Sequence, residues 1–390
     1  MAAGVTVDAY LPSALPRTAV PWDDVGEGWY AVLFDSSKAD PAHESEVREG
    51  AVVLYLVDSD GTRYEAAAWT DGVFRPWQLL DAQGTSVLVA GTTPGVDERQ
   101  WRMVDMTTGT TTVVHAAGFP GYAYSAGPAA GLTRPTGANV VLFRSDGADE
   151  WLERRSPAGA LLATVYTQSF TDEQSSLLWM YGYEGTSLLV THHGGMALVS
   201  NTGGLLAELW VPPDRRCEPV RWWDSDTFLA ACYGRGPASA PPDEYGNPHT
   251  YYGQLWLLET DGTAGFAMTE LPTDPVFVVD FGYRDAWPSG AGTYLQWSGD
   301  CGAAAVRALQ PDGSGSPLPI SAPTSIVADG VALIDIVDGQ LTLHGWQGCA
   351  GDIGVLYATD LTGAYLHDLV PAVGDARSVI GAKGLATVYP

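Results

Sequence analysis

The sequence predicts an all-β fold, and three observations support that class. Glycine (46), proline (26), tryptophan (14) and tyrosine (18) are all frequent, which favours short strands joined by turns. A short apolar strand, a polar turn ending in glycine and a second short strand recur along the chain. No stretch of about 10–15 residues with helical periodicity separates these strands, which argues against an alternating α/β fold.

The recurring hairpin occurs seven times, as in VVLYLVDSDGTRYEAA and QLWLLETDGTAGFAM. Each turn places glycine where a hairpin needs a positive φ, a conformation that costs glycine little. The aspartate before several of these glycines is a turn former, so we interpret the Asp-Gly pairs as turns and not as calcium loops. The turn glycines are 44 to 59 residues apart: Gly61, Gly109, Gly159, Gly203, Gly262, Gly313 and Gly363.

A further apolar strand precedes each hairpin, and most repeats show yet another strand candidate before that one. Three or four strands in about 50 residues are typical of a propeller blade. We therefore predict a seven-bladed β-propeller. One blade fewer or more is the alternative, because the first blade is incomplete and one spacing is short.

The two chain ends predict how the ring closes. The first blade begins near residue 28 and lacks an innermost strand, whereas residues 376–389 form a spare strand. Pairing of the C-terminal strand with the first blade would remove the open sheet edge. We expect residues 1–27 to form a Pro-rich lead-in and the start of the first blade, and residues 28–390 to form a single propeller domain.

The four cysteines test the strand register. Cys217 and Cys232 lie at equal distances from the turn around Ser225, so an antiparallel hairpin places them opposite each other. Cys301 and Cys349 each follow the second strand of adjacent predicted blades. We predict the disulfides Cys217–Cys232 and Cys301–Cys349, with four buried free thiols as the alternative.

Disulfides favour an oxidising, extracellular or cell-envelope location. The N-terminal residues show no basic segment followed by a long apolar one, so we expect an export signal to have been removed; a cytosolic protein is the alternative. No apolar run reaches the roughly 18 residues of a membrane helix, so no integral membrane segment is predicted.

The charge balance restricts the partners. The chain has 19 basic and 46 acidic residues, for a formal net charge of −27. Binding of nucleic acid or an anionic membrane needs clustered cations, so neither partner is expected. The acidic surface is interpreted as a solubility feature, with binding of cations or of a basic partner as the alternative.

Common catalytic patterns are missing from the sequence. It contains no G-x-S-x-G elbow, no GK[ST] phosphate loop and no HExxH motif. We therefore predict no catalytic residue, cofactor or metal ligand, and the sequence is compatible with a monomer.

Loops between the second and third strands of the blades, the B–C loops, are predicted to share one face of the ring. Loops carry function more often than cores do, so we expect a binding or scaffold protein that engages a protein, peptide or glycan there. A glycan-active hydrolase or lyase with acidic residues on that face is the alternative, as is a surface loop with aromatic residues that only cover blade edges. The candidate ligand-binding residues are His192, His193, Tyr245, His249, Tyr251, Trp297, Asp300, Trp346 and Asp352.

The segments VPWDDVGEGWYAVLFDSS and VVLYLVDSDGTRY, near the N-terminus, resemble secreted TolB-like β-propeller proteins of high-GC Gram-positive bacteria. That resemblance covers about the first 60 residues and implies an exported or lipid-anchored propeller, with no catalytic residues to transfer. The sequence lacks a lipobox cysteine near its N-terminus. The matching residues are Pro21, Trp22, Val25, Gly26, Gly28 and Trp29, followed by Leu54, Tyr55, Leu56, Val57, Asp58 and Gly61.

Overall fold

The structure is a computed structural model, and its described residues fall into two compact regions. Region I draws on residues 1–118 and 319–390, and region II on residues 119–318. The prediction of a single domain stays a prediction. The described residues are 11–38, 50–70, 74–93, 96–115, 130–134, 137–145, 148–169, 177–183, 185–192, 195–235, 251–270, 282–298, 304–323, 330–347, 353–371 and 375–381.

The first part of region I consists of strands and two short 3-10 turns, Arg17–Ala19 and Ser36–Lys38. Two of its strands are continuous apolar runs that are buried along their whole length, as expected for strands covered on both faces. Its strands are β1 (Leu15–Pro16), β2 (Tyr30–Asp35), β3 (Val52–Val57), β4 (Arg63–Trp69), β5 (Arg75–Gln83), β6 (Ser86–Thr93), β7 (Val96–Asp105) and β8 (Thr110–His115).

Region II contains the next sixteen described strands. They are β9 (Ala130–Leu132), β10 (Val140–Ser145), β11 (Asp149–Arg155), β12 (Leu161–Ser169), β13 (Trp179–Tyr181), β14 (Ser187–His192), β15 (Gly195–Ser200), β16 (Leu205–Leu209), β17 (Arg215–Trp222), β18 (Thr227–Arg235), β19 (Tyr251–Glu259), β20 (Gly265–Ala267), β21 (Gly282–Ser289), β22 (Gly292–Ser298), β23 (Ala304–Leu309) and β24 (Gly315–Pro317).

The C-terminal part of region I adds five strands, β25 (Gly330–Val337), β26 (Gln340–Gln347), β27 (Ile353–Asp360), β28 (Tyr365–Val370) and β29 (Asp375–Gly381). The all-β prediction is therefore confirmed for the part of the chain that the structure describes. No helix within that part is long and apolar enough to cross a membrane.

The strands pair in sequence order as antiparallel four-strand repeats, which we number 1 to 7 along the chain. Repeat 1 contains β2–β4, repeat 2 β5–β8, and each later repeat takes the next four strands, up to β25–β28 in repeat 7. We call the end of a repeat where its second strand passes into its third the B–C end. The opposite end, where the third strand passes into the fourth, is the C–D end.

Repeat 1 is completed by both ends of the chain. Its strand order is β1-β4-β3-β2-β29, so the C-terminal strand takes the first position beside β2. The pairing is antiparallel and places Val32 opposite Val379. The predicted pairing of the C-terminal strand with the first blade is observed. The lead-in contributes β1, which pairs parallel with β4 at the outer edge.

Repeats 1 and 7 also contact each other through side chains within region I. The buried Tyr30 hydroxyl lies 2.7 Å from the Thr342 hydroxyl of β26, and burial raises the pKa of Tyr30 above its ordinary value. The Arg63 guanidinium donates to the Leu369 carbonyl over 2.8 Å. Tyr30 also belongs to an apolar cluster that includes Leu356, so the first and last repeats share a core.

All seven predicted turn glycines have positive φ, between +70° and +94°. Six of them donate their N–H to the carbonyl three residues earlier, as Gly262 does to Glu259 over 3.2 Å. The sequence prediction of these hairpins is therefore confirmed, turn by turn.

A second constraint on these glycines is visible only in the structure. A methyl group built on Gly262 would lie 2.8 Å from the Glu208 carbonyl oxygen of β16, and one on Gly61 would lie 2.8 Å from the Asp368 carbonyl oxygen of β28. The neighbour is the fourth strand of repeat 4 for Gly262 and the fourth strand of repeat 7 for Gly61. The C–D turn of a repeat thus rests directly on the backbone of its neighbour.

The aspartates of these turns act as predicted. Asp261 accepts hydrogen bonds from the Thr263 hydroxyl and backbone N–H, at 2.7 and 2.8 Å, and Asp360 accepts the equivalent pair from Thr362. The hydroxyl and backbone hydrogen bonds from Thr263 lower the pKa of Asp261, and those from Thr362 and its neighbours lower that of Asp360. The Asp-Gly pairs are hydrogen-bonded turns.

The predicted disulfide Cys217–Cys232 is confirmed. The two cysteines face each other in the register of β17 and β18, with their Cα atoms 4.0 Å apart. Both are buried in an apolar cluster that joins repeats 4 and 5. The hairpin turn contains Asp224, as predicted, and its carboxylate accepts the N–H groups of Asp226 and Thr227. Cys301 and Cys349 lie outside the described residues.

The first strand of repeat 3, β9, was not predicted from the sequence. It spans only Ala130–Leu132, and its small residues give no strand signal. Its pairing with β10 buries it completely, so tertiary packing and not local propensity makes it a strand.

Candidate functional site

The predicted site residues that the structure describes lie at the B–C ends of four repeats. His192 is the last residue of β14, while Trp297 and Trp346 lie near the ends of β22 and β26. Tyr251 opens β19, and its side chain is not described. His193, Tyr245, His249, Asp300 and Asp352 lie outside the described residues.

His192 takes part in a contact between repeats 3 and 4. The Tyr166 hydroxyl of β12 lies 2.5 Å from its Nδ1, and Glu208 Oε1 of β16 lies 3.8 Å from its Nε2. Burial raises the pKa of Tyr166 to about 12, so the phenol keeps its proton at physiological pH. The ring is held in a fixed orientation by these partners.

The two predicted tryptophans have different surroundings. Trp297 packs against the apolar cluster of repeats 5 and 6, and the Arg307 guanidinium lies 5.2 Å from the centre of its ring. Trp346 lies 5.7 Å from the His344 ring on the same strand. Both indoles are partly buried, so each contributes to packing as well as to the surface.

A buried carboxylate at the B–C end of repeat 1 was not predicted. Asp35, which ends β2 and is fully buried, accepts hydrogen bonds from the Ser37 N–H and hydroxyl and from Arg75 Nη2 at 2.9 and 3.0 Å. Arg75 opens β5 of the next repeat and also contacts the Ser37 hydroxyl. The signal that could have identified it is an acidic residue at the end of an otherwise apolar strand.

A second missed feature lies in region II. Arg215 and Arg216 open β17, Arg284 lies near the start of β21, and Tyr233 lies near the end of β18. Arg284 Nη1 donates to the Tyr233 hydroxyl over 2.5 Å. Three arginines therefore gather at the B–C ends of repeats 5 and 6. The RR pair before Cys217 is a sequence signal for this cluster.

Polar residues also occur at bulges in the first strands of several repeats. In repeats 2, 6 and 7 the residue is an aspartate, Asp81, Asp285 or Asp335, whose carboxylate accepts the N–H of the next residue over 2.8 Å. In repeat 5 it is Arg221, which forms a bidentate pair with Asp285 at 2.6 and 2.7 Å. Bulges of this kind re-aim side chains.

The Arg221–Asp285 pair is a structural ion pair with opposing influences on the carboxyl group. Burial raises the pKa of Asp285, and the positive charge and hydrogen bonds of Arg221 oppose that shift. The Arg221 guanidinium also stacks 3.9 Å from the centre of the Trp287 ring. Both polar partners are therefore fully engaged with each other.

No group of three or more His, Cys, Asp or Glu side chains among the described residues is arranged to hold a metal ion. The described polar groups at the B–C ends form hydrogen-bonded pairs and networks.

A scan of the sequence against protein-family models finds no match. No curated protein matches the sequence either. Similarity is found among solved structures, at low sequence identity.

The β-propeller domain of the Trilobed protease from Pyrococcus furiosus is 10% identical with a TM-score of 0.51, over 89% of this chain and 93% of that domain. A protein from Lactobacillus plantarum is 15% identical with a TM-score of 0.49, over 91% of this chain and 99% of that one. TolB from Acinetobacter baumannii is 12% identical with a TM-score of 0.42, over 91% of this chain and 66% of TolB.

These likenesses concern the fold alone. TolB is among the neighbours, as the N-terminal motifs suggested, whereas the predicted bacterial group stays a prediction. With the antiparallel four-strand repeats described above, the comparison with the Pyrococcus domain shows that the chain has a β-propeller fold.

Proposed function

We propose that the chain is a closed, seven-bladed propeller that acts as a non-catalytic, extracytoplasmic binding protein. In this proposal the seven repeats are the blades, and β29 closes the ring within the first blade. The partner is a protein, peptide or glycan that docks on the B–C face, meaning the surface formed by the B–C ends of the blades.

The observation that carries the proposal is the set of oriented polar side chains at these ends. Asp35 with Arg75, Tyr166 with His192 and Tyr233 with Arg284 are each held by hydrogen bonds between neighbouring repeats. Such fixation reduces the entropy lost when a ligand binds. The three contacts differ in chemistry, which suits recognition of an irregular partner.

The location rests on the Cys217–Cys232 bridge. Disulfides persist in oxidising compartments and are rare in reducing ones. Peptide mapping of the native protein without reduction tests this part of the proposal. The result expected is that all four cysteines are oxidised, including a Cys301–Cys349 bridge, whereas four free thiols would overturn the assignment.

A glycan hydrolase is the less favoured candidate. Glycoside hydrolysis uses two carboxyl groups on either side of the scissile bond. The buried carboxylate described at the B–C end of repeat 1 is Asp35, and it is engaged by Arg75 and Ser37. A carboxylate held in this way has a positioning role and not the role of an acid or base.

The binding proposal is tested with glycan-array and peptide-library screens on three proteins. One is the native chain, the second has residues 236–250 replaced by a short Gly-Ser linker, and the third carries Leu205→Ser and Leu206→Ser just after the C–D turn of repeat 4. The expected result is a set of ligands lost only with the loop. Ligands lost equally in the third protein, or unaffected in both, would contradict a binding site on the B–C face.

A further inference from the structure

The outer strands of three repeats expose apolar side chains at the same place. In repeats 3, 4 and 7, the third residue after the turn glycine is a leucine that is 44% to 58% exposed, and the residue before it is also large, apolar and exposed. The pairs are Leu161 and Leu162, Leu205 and Leu206, and Tyr365 and Leu366. Single exposed leucines are ordinary on a protein surface, whereas a pair at equivalent positions of three strands calls for a shared explanation.

Repeat 1 shows how this place is covered. The third residue after its turn glycine is Tyr64, which is only 7% exposed. The lead-in strand β1 pairs parallel with β4 at this point and places Leu15 opposite Tyr64. The Trp29 ring packs 5.7 Å from the Tyr64 ring. An extended segment added to the outer edge, together with one tryptophan, thus covers the position that repeats 3, 4 and 7 leave exposed.

Backbone carbonyls and arginine side chains hold the lead-in on β4. The Arg17 guanidinium donates to the Ala66 carbonyl over 3.0 Å. In the opposite direction, the Arg63 guanidinium donates to the Ser13 carbonyl over 3.1 Å. Residues 11–20, LPSALPRTAV, include one basic and no acidic residue, so their charge is complementary to that of a chain with a net charge of −27.

The outer strand of repeat 3, β12, is the one best suited to accept a segment of this kind from another protein. It spans nine residues, Leu161–Ser169, which include neither a charged residue nor a proline. Natural sheet edges are usually protected by charges, by proline or by a covering segment. Within the described part of the chain, β12 pairs on one side only, with β11. Its other side therefore offers main-chain groups to a further strand.

The surroundings of β12 also favour an added strand. The turn before it, SPAG at residues 156–159, has no carboxylate, and the outer strands of repeats 4 and 7 contain Glu208 and Asp368. The pairing of β12 with β11 contains register shifts, but β4 has such a shift beside β3 and still accepts β1. Register shifts of this kind are thus compatible with strand addition.

We propose that the outer edge of repeat 3 binds an extended segment of a partner protein, which adds a strand beside β12 as β1 does beside β4. The segment runs parallel to β12, its main chain pairs with that strand, and its apolar side chains pack against Leu161 and Leu162. It resembles the lead-in in its chemistry, with apolar residues, a basic residue that the acidic chain attracts, and no acidic residue. The site lies at the outer edge and not on the B–C face, so this inference goes beyond the proposed function and does not depend on it.

The probe is a peptide with the lead-in sequence LPSALPRTAV, because its chemistry is that of the added strand observed in repeat 1. Binding to the full chain is measured by fluorescence anisotropy, and hydrogen–deuterium exchange with mass spectrometry locates the bound peptide. We expect slower exchange in β12 and unchanged exchange in β4. A second peptide with the changes Leu15→Asp and Arg17→Glu should bind about tenfold more weakly, because it loses an apolar contact and gains repulsion.

Two matched variants test the edge. Leu162→Lys should weaken binding of the first peptide about tenfold, because it removes an apolar contact and repels the basic residue of the peptide. Leu366→Lys in repeat 7 is the control, since this leucine is exposed to a similar extent and also stands three residues after a turn glycine. It changes the charge of the chain equally and should leave binding unchanged.

Equal losses in the two variants, equal binding of the two peptides, or slower exchange in β4 instead of β12 would overturn the proposal. Absence of binding at peptide concentrations up to about 1 mM would do the same. Light scattering of the chain without peptide tests the other occupant: we expect a monomer, whereas a dimer that Leu162→Lys dissociates would assign the edge to a second copy and overturn the partner. The screens on the loop variant score the proposed function separately, so either proposal can fail without the other.

Discussion

The two ends of the repeats are built differently. At the C–D end the same feature recurs in every repeat, a glycine of positive φ in a polar turn, and at Gly61 and Gly262 this turn rests on a neighbouring repeat. At the B–C end the described contacts differ: an Asp–Arg pair joins repeats 1 and 2, a Tyr–His pair joins repeats 3 and 4, and a Tyr–Arg pair joins repeats 5 and 6. We call the C–D end the regular end and the B–C end the irregular end; under the proposed function, the irregular end is the part that binds the partner.

The largest effect is expected at the irregular end, from Arg75→Met. The substitution leaves the fully buried Asp35 carboxylate without its guanidinium partner, so the free energy of unfolding should fall by about 3–5 kcal/mol. Chemical denaturation measures the loss. In the double variant Asp35→Leu with Arg75→Met much of the stability should return, and a double variant no more stable than Arg75→Met would contradict the ion-pair account.

Replacing both Cys217 and Cys232 by alanine should lower the free energy of unfolding by about 3 kcal/mol, because the bridge closes a loop of 15 residues and so restricts the unfolded chain. The bridge lies within repeat 5, so this variant measures how much a single local cross-link at the irregular end contributes to the free energy of unfolding. The same measurement on the native chain with reductant gives the joint contribution of this bridge and of the predicted Cys301–Cys349 bridge. A change below 1 kcal/mol would show that the register of β17 and β18 is held by packing alone.

The regular end is tested by two glycines that share a positive φ. Gly339→Ala, at an open turn, should cost about 1 kcal/mol through backbone strain alone. Gly262→Ala should cost about twice as much, because its methyl group meets the Glu208 carbonyl oxygen as well. Thermal unfolding measures both, and equal losses would show that the close contact between repeats contributes nothing.

The smallest effect concerns the turn carboxylates. Their pKa values are lowered by hydrogen bonds in the folded state, as for Asp261 with Thr263, so this stabilisation is present above the unfolded pKa of about 3.9 and lost as the pH falls through the folded value. Thr263→Val removes the side-chain hydrogen bond and should move the pKa of Asp261 back toward its ordinary value, as measured by NMR titration. An unchanged titration would contradict the assigned cause.

The regular end was predictable from the sequence, and the irregular end largely was not. Each C–D turn needs a residue of positive φ, and the glycine that fills this position is visible in the sequence. The equal distances of Cys217 and Cys232 from one turn predict the register of their two strands. Arg75 and Asp35 are 40 residues apart in the sequence and belong to two different repeats, so no local spacing predicts their pairing. The close approach of Gly262 to β16 likewise depends on packing between repeats, and the glycine itself is its only signal in the sequence.

The site residues show the same division. His192 was singled out by its place at a strand end, but its partner Tyr166 belongs to the preceding repeat and was not foreseen. Trp297 was expected as a surface aromatic and packs partly into the core. Residue type and strand position are local, whereas hydrogen-bond partners depend on how neighbouring repeats are rotated against each other.

The central claim is that the last strand completes the first repeat, and a cysteine cross-link tests it most directly. Val32→Cys with Val379→Cys places two thiols at directly paired positions of β2 and β29. Val32→Cys with Ile380→Cys is the matched control, because a shift of one residue turns the second thiol to the other face. We predict that mild oxidation cross-links the first pair and not the second; equal cross-linking of both pairs, or of neither, would contradict the pairing.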